Sequence, residues 1–333
     1  MNEKTAKSVL GRPLWVRITG WSVLAVFLFL VVLGIYWSRP PQAFWVNETP
    51  EDGTQVVGYS TTNTLIRVAE SLLDKPGGYL TNDVMPPGVW LDNMPNWEHG
   101  VLTQVQDLAR VIRNDYSRSQ SQSAEDPDMV IAAEKFFSES NSWLFPPTER
   151  RYREGIEALY SYQDRLTGSA QPTAQFYARA DNLREWLAEV EKRLGSMSRR
   201  LGNSVADDVI NEELAGDPAA DAAQPQPDTI NVRTPWLEID DVFFEARGTA
   251  WALLHFFRAV EFDFAQVLED KNATASVRQI IRELEASLDP LRSPVILNGG
   301  GYGLTANHSL VMANYLARAN AAVINLRELL DQG

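Results

Sequence analysis

The chain contains no cysteine. That excludes the all-cysteine and mixed cysteine–histidine ligand sets of the commoner structural zinc sites. It suits an exported bacterial protein that avoids stray oxidation, and it suits many other chains as well. Histidine is almost as scarce, with His99, His255 and His308 the three present among 333 residues. No two of them stand in His-x-x-x-His or His-Glu-x-x-His spacing, so neither a metal nor a cofactor is expected. No Gly-x-Ser-x-Gly or Ser-x-x-Lys pattern occurs, which leaves a serine nucleophile without support. Basic residues are in deficit, 30 Lys and Arg against 44 Asp and Glu. Setting aside Lys4, Lys7, Arg12, Arg17, Arg39 and Glu3 leaves 25 against 43 from Pro40 onward, a net charge of −18. Nucleic acid is therefore disfavoured as a partner, because phosphate neutralisation needs clustered cations. The same acidity opposes lying flat on anionic lipid. Alternation of apolar and polar residues is scarce too, with weak strand candidates at Gln55 to Tyr59 and Val295 to Leu297, so the fold is expected to be all-α.

What is present begins with one long apolar run, Trp21-Ser-Val-Leu-Ala-Val-Phe-Leu-Phe-Leu-Val-Val-Leu-Gly-Ile-Tyr-Trp37. From Thr19 to Trp37 it would span roughly 28 Å as a helix, close to the hydrocarbon thickness of a bilayer. Lys4, Lys7, Arg12 and Arg17 precede it, and the positive-inside rule then places the N-terminus in the cytoplasm. Trp15, Trp21, Tyr36 and Trp37 stand at its ends, where amphipathic rings favour headgroups. A cleaved signal peptide is the alternative, but Ile-Tyr-Trp-Ser-Arg-Pro-Pro offers no small-residue cleavage site. A buried core helix would need a polar face that the run lacks. The expected division is a cytoplasmic tail at 1–18, a transmembrane helix at 19–38, a spacer at 39–58, a first helical part at 59–201, an acidic linker at 202–235 and a second helical part at 236–333. Pro40, Pro41, Pro50 and Gly53 make the spacer extended. It would lift the domain off the membrane by at most ~60 Å.

Along the chain, Thr61-Thr-Asn-Thr supplies cap candidates for a short helix ended by Pro76-Gly77-Gly78. A Pro-, Gly- and Asn-rich loop from Tyr79 to Pro95 follows, then a helix from about Asn96 to Tyr116. Asp126-Pro127 opens a further helix over Met129 to Ser140, and Thr148 is a cap candidate for the next, which stops at Gly168. Phe176, Ala180, Leu183, Leu187, Val190, Leu194, Met197 and Leu201 step by alternating fours and threes, an a/d seam. A partner helix in the same bundle is one use for it, and a homo-oligomer through 174–201 is another. Residues 216–228 cannot bury enough apolar surface to order themselves. A helix from about Ile239 to Asp270 is apolar around most of its circumference and should be central. Met312, Leu316, Ala319, Val323, Leu326 and Leu330 repeat the seam spacing and offer a mate for the earlier series. The resulting fold class is an N-terminal transmembrane helix followed by a multi-helix bundle.

Candidate chemistry is thin. Glu98 and His99 adjoin, which makes them conceivable as an acid/base pair; a first-turn helix acid beside a solvated ring is the plainer alternative. Asp241 and Glu245 lie on the most apolar helix with Asp240, Glu261 and Asp263. Two such carboxylates facing a cleft would permit glycosidic chemistry, whereas pairing with Arg247 or Arg258 would be structural. Trp90 and Trp97, among prolines, are candidates for stacking on a sugar or a proline-rich partner, with packing under a long loop the plainer alternative. Tyr302 sits in Asn298-Gly-Gly-Gly-Tyr-Gly303, a loop whose backbone could hold an anion or simply turn the chain, with Thr305 or Asn307 as the following cap.

Three stretches carry a resemblance: Asn93-Met-Pro-Asn-Trp-Glu-His-Gly100, Trp143-Leu-Phe-Pro-Pro-Thr-Glu-Arg150, and Gly299-Gly-Gly-Tyr-Gly303 leading into Asn307-His-Ser-Leu-Val-Met-Ala-Asn-Tyr315. With them the chain resembles an uncharacterised family of proteobacterial inner-membrane proteins, a domain of unknown function, over most of its length. The resemblance implies a source and a location and transfers no activity. The expected function is a single-pass inner-membrane protein, held in the lipid bilayer through Trp21 to Trp37, whose periplasmic helical domain binds another envelope protein. A periplasmic enzyme acting on peptidoglycan or another envelope polymer is the alternative.

Overall fold

A computed structural model describes residues 14–46, 49–50, 53, 55–120, 122–168, 173–205, 207–210, 229–293, 295–300 and 304–332. The helices are α1 (Leu14–Trp37), α2 (Tyr59–Asp74), α3 (Asn93–Val111), α4 (Pro127–Phe136), α5 (Thr148–Thr167), α6 (Ala180–Gly202), α7 (Ile239–Asp263), α8 (Ala265–Asp270), α9 (Thr274–Ser287) and α10 (His308–Asp331). The fold is an all-α bundle with one N-terminal apolar helix. One short antiparallel ladder, β1 (Asp207–Ile210) with β2 (Thr229–Val232), interrupts the stretch expected to be a linker. Neither of the two weak strand candidates is a strand.

The central position expected for the 239–270 helix is occupied by α7, which packs on α2, α3, α6, α9 and α10. It ends earlier, at Asp263, and α8 follows after Phe264. Its closest neighbour is α3, and two glycines face that crossing. A Cβ at Gly100 would lie 2.1 Å from the Glu245 carbonyl oxygen, and one at Gly248 would lie 2.0 Å from that of Trp97. The two backbones touch only because neither residue has a side chain. On one side of α7, α2 packs on α3 and α5, and α5 on α4. On the other, α9 packs on α10 and α10 along α6. Because α6 precedes the acidic stretch and α10 closes the chain, helices from both sides of that stretch share one core.

The two heptad series meet as expected. Leu183, Leu187, Val190, Leu194, Met197 and Leu201 of α6 and Met312, Leu316, Ala319, Val323, Leu326 and Leu330 of α10 are all buried, and the two helices pack together. The face proposed for a homo-oligomer is thus used inside the chain. Phe176 belongs to the buried set but not to the helix, which begins at Ala180.

Asp126 caps α4, its carboxylate accepting from the N–H groups of Asp128 at 3.0 Å and Met129 at 3.4 Å, and α4 stops at Phe136 instead of Ser140. Asn307 caps α10 by accepting from Leu310 N–H at 2.8 Å. Thr148 caps nothing; it is the first residue of α5, and its hydroxyl donates to the carbonyls of Glu139 and Ser142. The threonines at 61–64 do not cap α2 either. Asp263 does so from the far end of α7, accepting from Gly58 N–H at 2.9 Å and Thr61 N–H at 2.6 Å.

α1 is longer than expected, beginning at Leu14 within the presumptive tail, and it is exposed along its apolar length. The segment after it is no free spacer. Ser38 continues the helix hydrogen bonding to the Gly34 carbonyl, and Phe44 lies against the bundle. Side chains more than 200 residues away hold it there, as described below.

Candidate functional site

The end of α1 sits on the loop between α2 and α3. Gly34 opens α1 to that loop, since a Cβ there would stand 3.4 Å from the Pro87 Cβ and 3.7 Å from Leu91 Cδ2. At Gly77 the fit is closer: φ is +90°, and a Cβ would fall 2.8 Å from the Trp37 ring. Both the left-handed backbone and the seated indole require glycine there. Further along α1, Phe27 and Trp90 place their ring centroids 6.4 Å apart.

Beneath this seat lies a buried ion pair. Lys75 Nζ is 2.5 Å from Glu98 Oε1, and neither side chain has any exposure. Glu98 also accepts from the N–H groups of Leu80 and Thr81, each at 2.8 Å, and from the Thr81 hydroxyl at 2.6 Å. Lys75 donates to the Gly78 carbonyl. Burial raises the Glu98 pKa above the ordinary carboxylate range, against the pull of Lys75 and the loop donors. Burial likewise raises Tyr79 and takes Tyr152 to about 12, so both phenols remain neutral beside it. The carboxylate therefore binds α3 to the Lys75–Thr81 turn. It serves as a fastener, with its side chain closed off from solvent. The helix-dipole role expected as the plainer alternative for Glu98 is replaced by this long-range one.

A second fastener holds residues 38–46. His255 is fully buried on α7, with Nδ1 2.6 Å from the Trp251 carbonyl, which assigns the proton to Nδ1. The Phe44 N–H then donates to Nε2 at 3.0 Å, and the two rings stack with centroids 3.9 Å apart. Burial lowers the His255 pKa to about 4, so the ring is neutral at ordinary pH. Arg67 lies 4.0 Å from the centre of the Phe44 ring and donates to the Trp45 carbonyl at 2.6 Å.

The remaining candidates do not converge. His99 is exposed and 3.9 Å from Glu245, away from the Glu98 carboxylate. Glu245 accepts from both arms of Arg200, at 2.9 and 2.7 Å. Asp241 accepts from Asn96 Nδ2 at 2.6 Å. Its pKa is raised by partial burial and by Asp240, Asp92, Glu238 and Glu245 nearby. Next to it a cleft of about 290 Å³ is lined by Asp92, Asn93, Trp236, Leu237, Asp240 and Phe244. Neither Asp241 nor Glu245 lines it. Arg247, expected as a carboxylate partner, donates instead to the carbonyls of Leu288 at 3.0 Å and Asp289 at 3.1 Å. Among the described residues no set of His, Asp and Glu side chains gathers as a metal site.

Of the aromatic candidates, Trp97 is buried, with its ring 5.3 Å from that of Trp251, so it packs the core and presents nothing to a partner. Trp90 is 51% exposed and borders α1. Tyr302 lies outside the described residues. Around it, Gly299 N–H donates to the Ala306 carbonyl, and Asn307 Nδ2 donates to the Gly299 carbonyl at 2.7 Å, closing the turn before α10. Lys75, Phe44, His255 and Gly77 were not foreseen as a group. Each pairs with a residue distant in sequence, and only Pro76-Gly77-Gly78 advertised a special backbone.

The chain belongs to the family described as "Uncharacterized protein conserved in bacteria (DUF2333)", whose model matches residues 11–333. No curated protein and no solved structure matches it.

Proposed function

With that family membership as premise, we propose that the protein is a single-pass scaffold of the bacterial inner membrane, its N-terminus cytoplasmic and its helical domain periplasmic, where it binds another envelope protein. One observation carries the reading. α1 is exposed over its apolar length and yet is seated on the domain through Gly34, Trp37 and Phe27. A domain joined to its anchor in this way has one orientation and one height above the bilayer, which is what a scaffold needs and a freely tethered enzyme does not. The charge asymmetry around α1 supports the sidedness.

The test is in-cell crosslinking and pull-down of the full-length protein beside a version lacking α1. Enrichment of one envelope protein by the anchored form alone is the expected result. A purified domain that cleaves glycan strands, with no protein enriched, would overturn it.

A second reading, carboxylate chemistry on an envelope polymer, draws on the cleft that contains Asp92 and Asp240, with Asp241 held above the ordinary carboxylate range beside it. Loss of a glycan-cleaving activity in Asp240→Asn and Asp241→Asn variants would establish it.

A further inference from the structure

Two loops at the α1 end of the domain combine high exposure with a complete lack of charge. Between Asp83 and Asp92 the chain reads Val-Met-Pro-Pro-Gly-Val-Trp-Leu, and between Glu139 and Glu149 it reads Ser-Asn-Ser-Trp-Leu-Phe-Pro-Pro-Thr. Met85 is 70% exposed, Trp90 51%, and Phe145 92%, with Val84, Val89, Trp143 and Leu144 also exposed. Asn82 joins the bases of the loops, donating from Nδ2 to the Ser142 carbonyl at 2.9 Å. Exposed apolar side chains gathered like this mark a binding surface.

The position of α1 names the occupant. Pro87 and Leu91 face Gly34, and Trp90 reaches Phe27, ten residues before the end of α1 at Trp37. At 1.5 Å per residue that is ~15 Å along the helix axis, about one leaflet of hydrocarbon. If α1 crosses the bilayer, the loop beside Phe27 and Gly34 must lie within it. Irregular backbone is costly in lipid unless its polar groups are satisfied. Here Pro86 and Pro87 have no N–H, and the N–H groups of Asp83, Val89, Trp90 and Leu91 bond to carbonyls of Leu80, Met85, Pro87 and Gly88.

We propose that residues 84–91 and 143–145 are immersed in the outer leaflet of the bilayer that α1 spans, forming a second membrane contact of the domain. The proposal rests on the transmembrane reading of α1. The acidity of the domain does not oppose it, because neither run carries a charge of its own; the carboxylate nearest the first is Asp83, folded against Gly88. Trp143 suits an interfacial depth and Phe145 a deeper one, while Trp90, beside Phe27, lies well within the leaflet.

The lack of native cysteine allows single-site labelling of the full chain. Phe29→Cys, Met85→Cys, Phe145→Cys and Lys192→Cys variants, each carrying an environment-sensitive fluorophore, are reconstituted into phosphatidylcholine–phosphatidylglycerol vesicles with nitroxide-bearing lipid. Loss of fluorescence at positions 29, 85 and 145, with none at 192, is the expected pattern. Quenching at 29 with water-like, unquenched emission at 85 and 145 overturns the proposal and leaves the anchor standing; one unquenched loop removes that loop from it. Blue-shifted but unquenched emission at 85 or 145 also overturns it, since protein would then cover the site. No quenching at 29 overturns the anchor and the proposal together.

Discussion

The α6–α10 seam and the loop end around α1 are built on opposite principles. The seam repeats a simple spacing, buries it from Leu183 to Leu201 and from Met312 to Leu330, and turns charged side chains outward, with Arg184 paired to Asp331 and Arg327 to Glu191 across the two helices. The loop end has no period. It is held by single contacts between residues far apart in sequence, and it leaves aromatic and aliphatic side chains uncovered. The difference teaches that the heptad-spaced apolar patterns here mark surfaces satisfied within the chain, while the irregular stretches leave apolar side chains uncovered.

The largest expected effect comes from breaking the loop end. Glu98→Gln leaves the Lys75 ammonium buried without its counter-charge, and unfolding free energy should drop by about 3–5 kcal/mol in denaturant titrations. Limited proteolysis should then cut between Lys75 and Leu91 before any other described segment. Leu194→Ala, in the seam, should cost about 2–5 kcal/mol by leaving a cavity. Its signature differs, because unfolding should remain a single transition and the Lys75–Leu91 stretch should stay protected.

Next in size is a pH effect at the second fastener. The neutral ring is the folded form of His255, and the unfolded chain takes up a proton as pH drops below about 6.5, the folded chain only near 4. Stability from this residue is thus complete above that window and falls with pH across it, by about 3 kcal/mol at the lower end. The wild type should lose that much more than His255→Gln between the two pH values, as read from denaturant midpoints. At the small end, Lys192→Ala on the outer face of α6 removes an exposed pair with Glu189 and should leave the unfolding midpoint unchanged.

The same contrast explains how much could be read from sequence. The seam, the central helix, the N-terminal apolar helix, the Asp126 cap and the Asn307 cap follow from local spacing, and local spacing is visible in one dimension. Phe176 fits the heptad arithmetic and is buried, but the helix begins only at Ala180, after a non-helical stretch that ends in extended backbone at Arg179. Asp263 displaces the threonines as the cap of α2 because tertiary packing brings a carboxylate from α7 to the N–H groups first. Glu98 reads from sequence either as an acid beside His99 or, more plainly, as a first-turn helix acid, because a carboxylate beside histidine is ambiguous until burial is known. No local pattern joins Phe44 to His255 or Lys75 to Glu98, and those pairs decide that residues 38–46 are fixed to the domain and that α1 has a seat.

The central claim is that α1 and the domain form one body. Gly34 and Pro87 test it most directly, because the Cβ separation there, 3.4 Å, is close to that of a disulfide. In the cysteine-free chain, a Gly34→Cys/Pro87→Cys double variant is oxidised in membranes and its remaining thiols are counted with a mass-tagging maleimide. Docked as described, the pair closes within one chain and takes up no tag unless first reduced. Two tags per chain after oxidation, with each single variant labelled normally, would mean that α1 does not rest on the domain.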